Sequence, residues 1–492
     1  MDGNINIRSY LRTYKHCHFL KTVFTILYIL TSVWAIGAII YHGRRPSRSI
    51  SWALAIIILP IFGAILYYLF GMNRRKFKFF NSKEFEKRNR FGYPENSQQE
   101  KFWAHFDEDI RKERLNRLIK ASSNTTAKSG NKVAVLQDGG ETFNVLFKAM
   151  EEAQKFIHVQ YYILERGNLL DKMSDLFKRK IEEGVEVRII YDSLGSYKLR
   201  GRPRKQFQDI GVKIYPIMPI RLRNLLFSLN FRNHRKILVI DNKVAFTGGV
   251  NVSDKYIKRE NGLGKWKDVH LKLEGPIVND LHMVFLKDYF FASKKADFRT
   301  SDFLSEQEMA GSVNAQVVAG GPDSNHPTIM QQYIGMMNQA KRSICIANPY
   351  FVPGEAFLQS LKISALEGVD ISLLVPKKSD SKAAKFAMFS HFEELLNVGV
   401  KIYLRDDFSH SKIMIVDDDL VSIGSGNFDI RSFELNYETN VLIYNKEINS
   451  EMTKEFQKVC KKANPVTLER FQNRTLWRKF LEGLFKFLKP LL

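Results

Sequence analysis

The chain has 492 residues and carries 75 Lys+Arg against 52 Asp+Glu, a formal net charge of +23. That length leaves room for about two or three domains, each able to bury its own core, and the charge directs the chain toward polyanions: nucleic acid or an anionic membrane surface. Three scattered cysteines, Cys17, Cys345 and Cys460, exclude a disulfide framework, and no Cys-x-x-Cys pair marks a zinc site.

In chain order the first feature is an uncharged run over 22–41, followed by a second over 50–70 with Pro60 and Gly63 as its helix breakers. The first exceeds the apolar region of a signal peptide and another follows closely, so both are expected to be transmembrane helices. Arg8, Arg12, Lys15 and Lys21 precede the pair, and Arg74, Arg75, Lys76 and Lys78 follow it; Arg44, Arg45 and Arg48 lie between. The flanks outweigh the connecting loop, which predicts a multi-pass anchor over 1–72 and a cytoplasmic body.

Residues 73–130 are polar, and they read as a linker with some helix whose aromatics (Phe77, Phe79, Phe80, Phe102, Trp103) are placed to lie at the membrane face. Beyond it, β-branched runs alternate with helical stretches: Phe156 to Ile163, Leu169 to Glu183, Val185 to Tyr191. This βαβ grammar predicts an α/β body with a mixed, largely parallel, buried sheet.

The grammar repeats. Gly-Val-Lys-Ile-Tyr occurs identically at 211–215 and 399–403, and each copy is followed by His-x-Lys-x-x-x-x-Asp: His234, Lys236, Asp241 and then His410, Lys412, Asp417. Gly248 aligns with Gly424 and Asn251 with Asn427 without a gap. Two domains, 131–305 and 306–464, are therefore expected in a pseudo-twofold arrangement. From Gly211 to His234 is 23 positions and from Gly399 to His410 only 11. The longer first-half segment mixes Pro219, Arg221, Arg223, Leu225, Leu226, Phe227, Leu229, Phe231 and Arg232, a composition suited to lipid headgroups and chains or to packing on its own domain.

Ile237-Leu-Val-Ile240 and Ile413-Met-Ile-Val416 read as buried strands. Alternation puts His234 with Lys236, and His410 with Lys412, on the face that meets substrate; Asp241 and Asp417 have the opposite parity and are expected to support the catalytic set from the strand end. Bringing the halves together would surround a phosphate with two imidazoles and two ammonium groups. One neutral histidine attacks phosphorus while the other, protonated, supplies the leaving alkoxide with a proton, and the acceptor alcohol reverses the roles. Lys236, Lys412, Asn251 and Asn427 are the candidate donors to the nonbridging oxygens. This chemistry needs no metal and no cofactor. Asp268 and Glu438, downstream of the two motifs, are candidates to hold the other imidazole nitrogens.

These residues resemble the phospholipase D superfamily, whose hallmark is the duplicated HxKxxxxD pattern followed by Gly-Gly/Ser-x-Asn, here Thr247-Gly-Gly-Val-Asn251 and Gly424-Ser-Gly-Asn427. Within it the chain resembles the bacterial cardiolipin synthases, through the apolar N-terminal pair, Leu59-Pro-Ile-Phe-Gly63, Leu273-Glu-Gly-Pro276, Asn348-Pro-Tyr-Phe-Val-Pro353 and Arg431-Ser432. The resemblance implies a bacterial cell-membrane enzyme that reversibly transfers a phosphatidyl group between two phosphatidylglycerol molecules, giving cardiolipin and glycerol. It implies His234 as nucleophile and His410 as acid, with phosphatidylglycerol and the anionic membrane as partners rather than nucleic acid. Oligomeric state stays open. Gln160 departs from the acidic residue expected there, with a changed headgroup preference or a tolerated polar swap as its consequence. The residues alone leave open another acceptor alcohol or water, a membrane-tethered nuclease, and an inactive lipid-binding scaffold.

At the end, Leu476, Phe480, Leu484 and Leu488 recur every fourth residue among Arg470, Arg474, Arg478, Lys479, Lys486 and Lys489. Residues 465–492 are thus expected to form a basic amphipathic helix on anionic lipid, or a tail packed on its own domain.

Overall fold

The apolar N-terminal sequence forms a 36-residue helix, α1 (Ile7–His42), within which Lys15–Tyr41 is long and apolar enough to cross a bilayer. The computed structural model describes residues 7–42, 46–67, 99–106, 109–219, 230–260, 263–294 and 298–487. Phe19, Phe24, Leu27, Leu30 and Val33 point outward from α1, as lipid-facing side chains do. The second apolar segment differs from the expected single span. It folds as α2 (Pro46–Ile58) and α3 (Pro60–Leu66), broken at Leu59 because Pro60 lacks an N–H and its ring clashes with the preceding turn. Among the described residues α1 is therefore the one helix of spanning length. Gly63 permits the close return of α3, since a Cβ there would lie 2.5 Å from the Ala55 carbonyl oxygen. The cations at Arg44, Arg45 and Arg74 to Lys78 that set the orientation argument lie outside the described residues.

A second compact unit, Lys78–Lys486, contains the body. The first half contributes β1 (Lys128–Leu136), β2 (Phe156–Tyr161), β3 (Glu186–Asp192), β4 (Lys213–Ile217), β5 (Arg232–Asn233), β6 (Ile237–Ile240), β7 (Val244–Gly248) and β10 (His270–Glu274). Between them β8 (Arg259–Glu260) and β9 (Gly264–Lys265) form a separate ribbon. The second half adds β11 (Val313–Gly320), β12 (Ser343–Ala347), β13 (Asp370–Pro376), β14 (Lys401–Arg405), β15 (Ile413–Val416), β16 (Leu420–Gly424), β17 (Asn436–Tyr444) and β18 (Asn464–Val466).

These strands form one sheet in the order β18-β14-β13-β12-β15-β16-β17-β11-β1-β10-β7-β6-β2-β3-β4, with β5 pairing with β17. The two halves mirror each other about the antiparallel β1–β11 joint, and helices cover both faces. Beneath the joint they share a core in which Leu271, Phe285 and Ile237 meet Val317, Ile415 and Val441.

The sheet is mixed, but parallel pairing is confined to β2-β3-β4, β12-β13-β14 and the short β5–β17 contact. The expected largely parallel sheet is corrected by two hairpins, β6–β7 and β15–β16, whose turns lie at the end of the motif itself. Asp241 and Asn242 adopt φ of 52° and 55°, and Asp417 48°, a left-handed conformation that Asp and Asn tolerate better than most residues.

The described part of the expected linker is not a tether. Ala104, Phe106, Leu115, Ile119 and Ala127 belong to the core of the second half, and Arg111 Nη1 donates to the Gln339 carbonyl at 2.9 Å. Phe102 is buried and Trp103 half-buried beneath Lys120, whose Nζ lies 4.4 Å from its ring centre; Phe77, Phe79 and Phe80 lie outside the described residues. In the long first-half insertion, Arg221, Arg223, Leu225, Leu226, Phe227 and Leu229 are likewise outside. Its exit is ordered inward: Phe231 is buried, and Arg232 reaches Asp192 at 3.1 Å and the Met218 carbonyl at 3.1 Å.

The C-terminal segment forms the helix Leu476–Phe487. Arg474 clamps it to the body through Glu482 (2.7 Å) and Glu393 (2.9 Å), and Phe485 stacks on Phe386. Leu476, Trp477, Phe480 and Leu484 remain exposed along the outer side. One side of this tail packs on the domain, as the second expectation has it, and the other presents an apolar row. Leu488 and Lys489 lie outside the described residues.

Candidate active site

Strands β6 and β15 are buried at every residue, so each motif begins at a strand start fixed by four aliphatic side chains, each worth about 1.5–3 kcal/mol of burial. Just before these strands the halves cross over. β5 pairs with β17, and the His234 N–H donates to the Tyr437 carbonyl at 2.9 Å. At the related place Ser409 bridges Lys267, and the His410 N–H donates to the Lys267 carbonyl at 2.7 Å. Each histidine is therefore held by the backbone of the opposite half.

The carboxylates are exchanged in the same way. His234 Nδ1 lies 3.0 and 3.1 Å from the Glu438 oxygens, and His410 Nδ1 lies 2.8 Å from Asp268 Oδ2. With Nδ1–H donated to a carboxylate, each neutral ring keeps its lone pair on Nε2. The registers Gly248↔His270 and Gly424↔Asn440 make Asp268 and Glu438 related positions of the two copies. Gly249 is obligatory beside this pair: a Cβ there would lie 2.0 Å from Asp268 Oδ1.

The two carboxylates differ in their surroundings. Glu438 accepts from Ser425 Oγ (2.6 Å), Ser432 Oγ (2.8 Å) and Asn436 Nδ2 (3.3 Å) as well as from His234. Although burial works against its charge, His234, Lys236 and Ser425 hold its proton affinity below the ordinary value. Asp268 has its own adjacent Val269 N–H at 2.8 Å, and burial pushes it up to about 6 against the pull of Lys412. Ser425 and Ser432 fall in stretches that the sequence marks as family features, but nothing there announces their grip on Glu438.

Lys236 and Lys412 fold back to the carbonyls of their own histidines, Lys236 Nζ at 2.6 Å from the His234 oxygen. Lys412 Nζ also sits 2.8 Å from His410 Nδ1. Burial lowers Lys236 to about 7 and Lys412 to about 8, and burial with the neighbouring cations lowers both histidines. An anion between the halves would reverse this, because it favours the protonated forms. Phosphodiester binding is accordingly expected to weaken as pH rises through about 7 to 8, where the empty-site lysines lose their protons, by up to tenfold per pH unit per proton taken up. Equilibrium binding of a nonreactive phosphodiester to the full-length protein between about pH 6.5 and 9 checks this. A flat profile would contradict it.

Rings line the site: Tyr162 meets His234 edge-on at 4.8 Å, while Trp266, Tyr350 and Phe408 surround His410 at 5.8, 6.1 and 6.3 Å. The motif pattern alone does not reveal these four. Asn251 and Asn427 are both buried. Asn251 already accepts from the Ile163 N–H at 3.2 Å and donates to Tyr256 at 3.3 Å. Asn427 Oδ1, an acceptor, is buried with no hydrogen-bond partner among the described residues. Gln160 is buried and bonded to Asn233 (2.9 Å) and Asp288 (2.7 Å); Asp288 supplies a negative charge there and binds Arg235 at 2.7 Å.

Asp241 and Asp417, grouped with the catalytic residues through the motif, are separated from them by the length of a strand. Asp241 accepts from the N–H groups of Gln154, Lys155 and Phe156 at 2.8, 2.8 and 2.9 Å, and Asp417 from Lys341, Arg342 and Ser343 at 2.8, 2.8 and 3.0 Å. Their left-handed backbone and triple acceptance join the hairpin to the neighbouring strand's entry. Asp241→Asn is expected to cost about 1–3 kcal/mol of stability, since one acceptor oxygen becomes a donor facing N–H groups. Thermal unfolding in detergent should register this loss, while turnover per folded molecule stays near the parent value.

Two copies of one α/β half, crossed so that each supplies a His–Lys pair to a common space and a carboxylate to its partner, define the phospholipase-D-like class. Consistent with that, residues 146–265 and 333–460 match the family model described as cardiolipin synthase, PLD-like domain, and 26–71 match the phospholipase D-nuclease N-terminal model. A cardiolipin synthase of Geobacillus sp. (strain WCH70) is 37% identical over 473 residues, covering 95% of this chain and 93% of that one. Cardiolipin synthase 2 of Bacillus anthracis is 36% identical over 470 residues, 94% of this chain and 90% of that one. The crystal structure of phosphatidylserine synthase from Haemophilus influenzae Rd KW20 superposes with a TM-score of 0.59 at 15% identity, covering 77% of this chain and 100% of that chain, a likeness of fold. The chain belongs to the cardiolipin synthase family of phosphatidyltransferases.

Proposed function

We propose that the chain joins two phosphatidylglycerol molecules into cardiolipin and glycerol through a phosphatidyl group carried on His234. The observation that carries this reading is the exchange of carboxylates, which gives each imidazole a fixed tautomer within one shared site. His234 Nε2 attacks phosphorus, the bond to glycerol breaks, and the glycerol oxygen takes a proton from His410 Nε2. The hydroxyl of the second phosphatidylglycerol then attacks phosphorus, gives its proton back to His410, and the P–N bond breaks. The difference between the carboxylates supports the assignment. Glu438, kept ionised, stabilises the positive charge of a phosphatidyl-imidazolium on His234; Asp268, near 6, stabilises imidazolium less and leaves His410 the stronger acid. Lys236, Lys412, Asn427 and Asn251 would supply donors to the nonbridging oxygens.

The residues up to about 72 serve as a multi-pass anchor in this reading, with the two halves (131–305 and 306–464) acting as one catalytic unit on the cytoplasmic side. The exposed Leu476, Trp477, Phe480 and Leu484, beside Lys479 and Lys486, support seating of the terminal helix on anionic lipid. Full-length enzyme given phosphatidylglycerol vesicles should release cardiolipin and glycerol in equal amounts. Phosphatidic acid as the sole lipid product would make it a hydrolase instead.

A further inference from the structure

The two sides of the site are related by the duplication but differ in what surrounds each histidine. On the His410 side, Tyr350 follows β12 and stands edge-on to the imidazole, 6.1 Å between ring centres at 79°. Its hydroxyl donates to Asp380 Oδ1 at 2.6 Å. Asp380 is exposed at the end of the segment after β13, yet its charge reaches His410, Lys412, Tyr256 and Tyr350. Burial and Asp380 together push the Tyr350 hydroxyl well above its ordinary value, so it stays a donor. Among the described residues nothing donates to Asp380 Oδ2.

The registers Ala347↔Leu374 and Gln160↔Ile190 make Ser196 the related position on the His234 side. Ser196 Oγ is already committed, donating to the Tyr162 carbonyl and accepting from the Leu164 N–H, both at 2.9 Å. Lys236 lies over the Tyr162 ring at 5.6 Å, and Asp192, Arg431, Arg232 and Glu438 all act on that tyrosine; of its two carboxylates, Asp192 is bound by Arg232 and Glu438 by His234. On this side the carboxylates are thus already committed to Arg232 and His234, and Lys236 stands over the ring where an anionic phosphate would meet it. The other presents an oriented carboxylate with an open oxygen, an acceptor for neutral hydroxyl groups.

We propose that Asp380, oriented by Tyr350, is the subsite for the alcohol: it accepts a hydrogen bond from the second hydroxyl of a vicinal diol while the first faces His410. This rests on the transfer reaction proposed above and adds its alcohol specificity. The carboxylate makes no bond in the chemical step. It selects glycerol headgroups over monohydric alcohols, because a site built to bind a hydroxyl discriminates against the analogue that lacks it.

The reverse reaction isolates this choice. Full-length enzyme in cardiolipin vesicles is offered free glycerol, forming phosphatidylglycerol, or ethanol, forming phosphatidylethanol, and the ratio of kcat/KM for the two alcohols is compared between variants. Asp380→Ala should lower the glycerol-to-ethanol ratio by about 10- to 100-fold, the loss of one hydrogen bond to a charged acceptor, chiefly through the KM for glycerol. Tyr350→Phe leaves the carboxylate in place but unoriented, and a smaller fall in the same ratio is expected. A general structural defect would depress both alcohols alike and leave the ratio unmoved. An unchanged ratio in both variants overturns the subsite while the transfer reaction stands. A parent enzyme that transfers to neither alcohol and makes no cardiolipin from phosphatidylglycerol overturns both.

Discussion

Replacing His234 or His410 by alanine should each lower turnover of phosphatidylglycerol by at least about two to four orders of magnitude, since each removes a group that makes or breaks bonds to a reacting atom. The two losses should differ in kind. His410 supplies a proton to a poor leaving group, so a phosphatidyl ester of an acidic phenol, which departs without one, should restore phenol release to His410→Ala. The same substrate should not rescue His234→Ala, which lacks the nucleophile. Equal rescue of both variants would mean that the roles are not divided between the halves. Rescue of His234→Ala alone would reverse them.

The carboxylates should give the next largest effects. Glu438→Gln can turn its amide N–H toward His234 Nδ1, which moves the imidazole proton to Nε2 and removes the attacking lone pair; a loss of about 10²- to 10⁴-fold is expected even if the fold is intact. Asp268→Asn shifts His410 in the same sense. Neutral imidazole N–H then replaces imidazolium as the proton donor, a far weaker acid, so this variant should be slow with phosphatidylglycerol and recover with the acidic-phenol ester. Glu438→Gln should not recover. Steady-state rates of both variants on both substrates, with thermal unfolding as a check on folding, read this out. Identical behaviour of the two variants would mean that the different surroundings of Asp268 and Glu438 have no part in the mechanism.

Much of this site is legible in the sequence because it is written twice. The ungapped match of His234 to His410 and Gly248 to Gly424 carries across both copies, and a supporting role at the strand end for Asp241 and Asp417 agrees with carboxylates that take three N–H groups each, although both lie in the turn after the strand, where alternation no longer applies. The exchange of partners is not legible. Glu438 lies 204 positions from His234, and no local pattern distinguishes pairing within a half from pairing across. The sheet misleads for a related reason: the βαβ pattern is real around β2-β3-β4, but the hairpin after β6 begins on the motif's own Asp241, a residue that draws attention as chemistry rather than as a turn. In the anchor, hydropathy averages over Pro60 and so misses the break between α2 and α3. In the expected linker, polarity hides Leu115 and Ile119, spaced four apart on one helical face and buried in the second half.

Locating the covalent intermediate tests most directly whether the phosphatidyl group travels on His234. Full-length enzyme mixed with phosphatidylglycerol vesicles, quenched in alkali within a turnover and digested, should yield a phosphate-linked adduct on the peptide that contains His234, abolished by His234→Ala and accumulating in Asp268→Asn with the acidic-phenol ester. An adduct on the His410 peptide, or cardiolipin formed with no histidine adduct at any time, would contradict it.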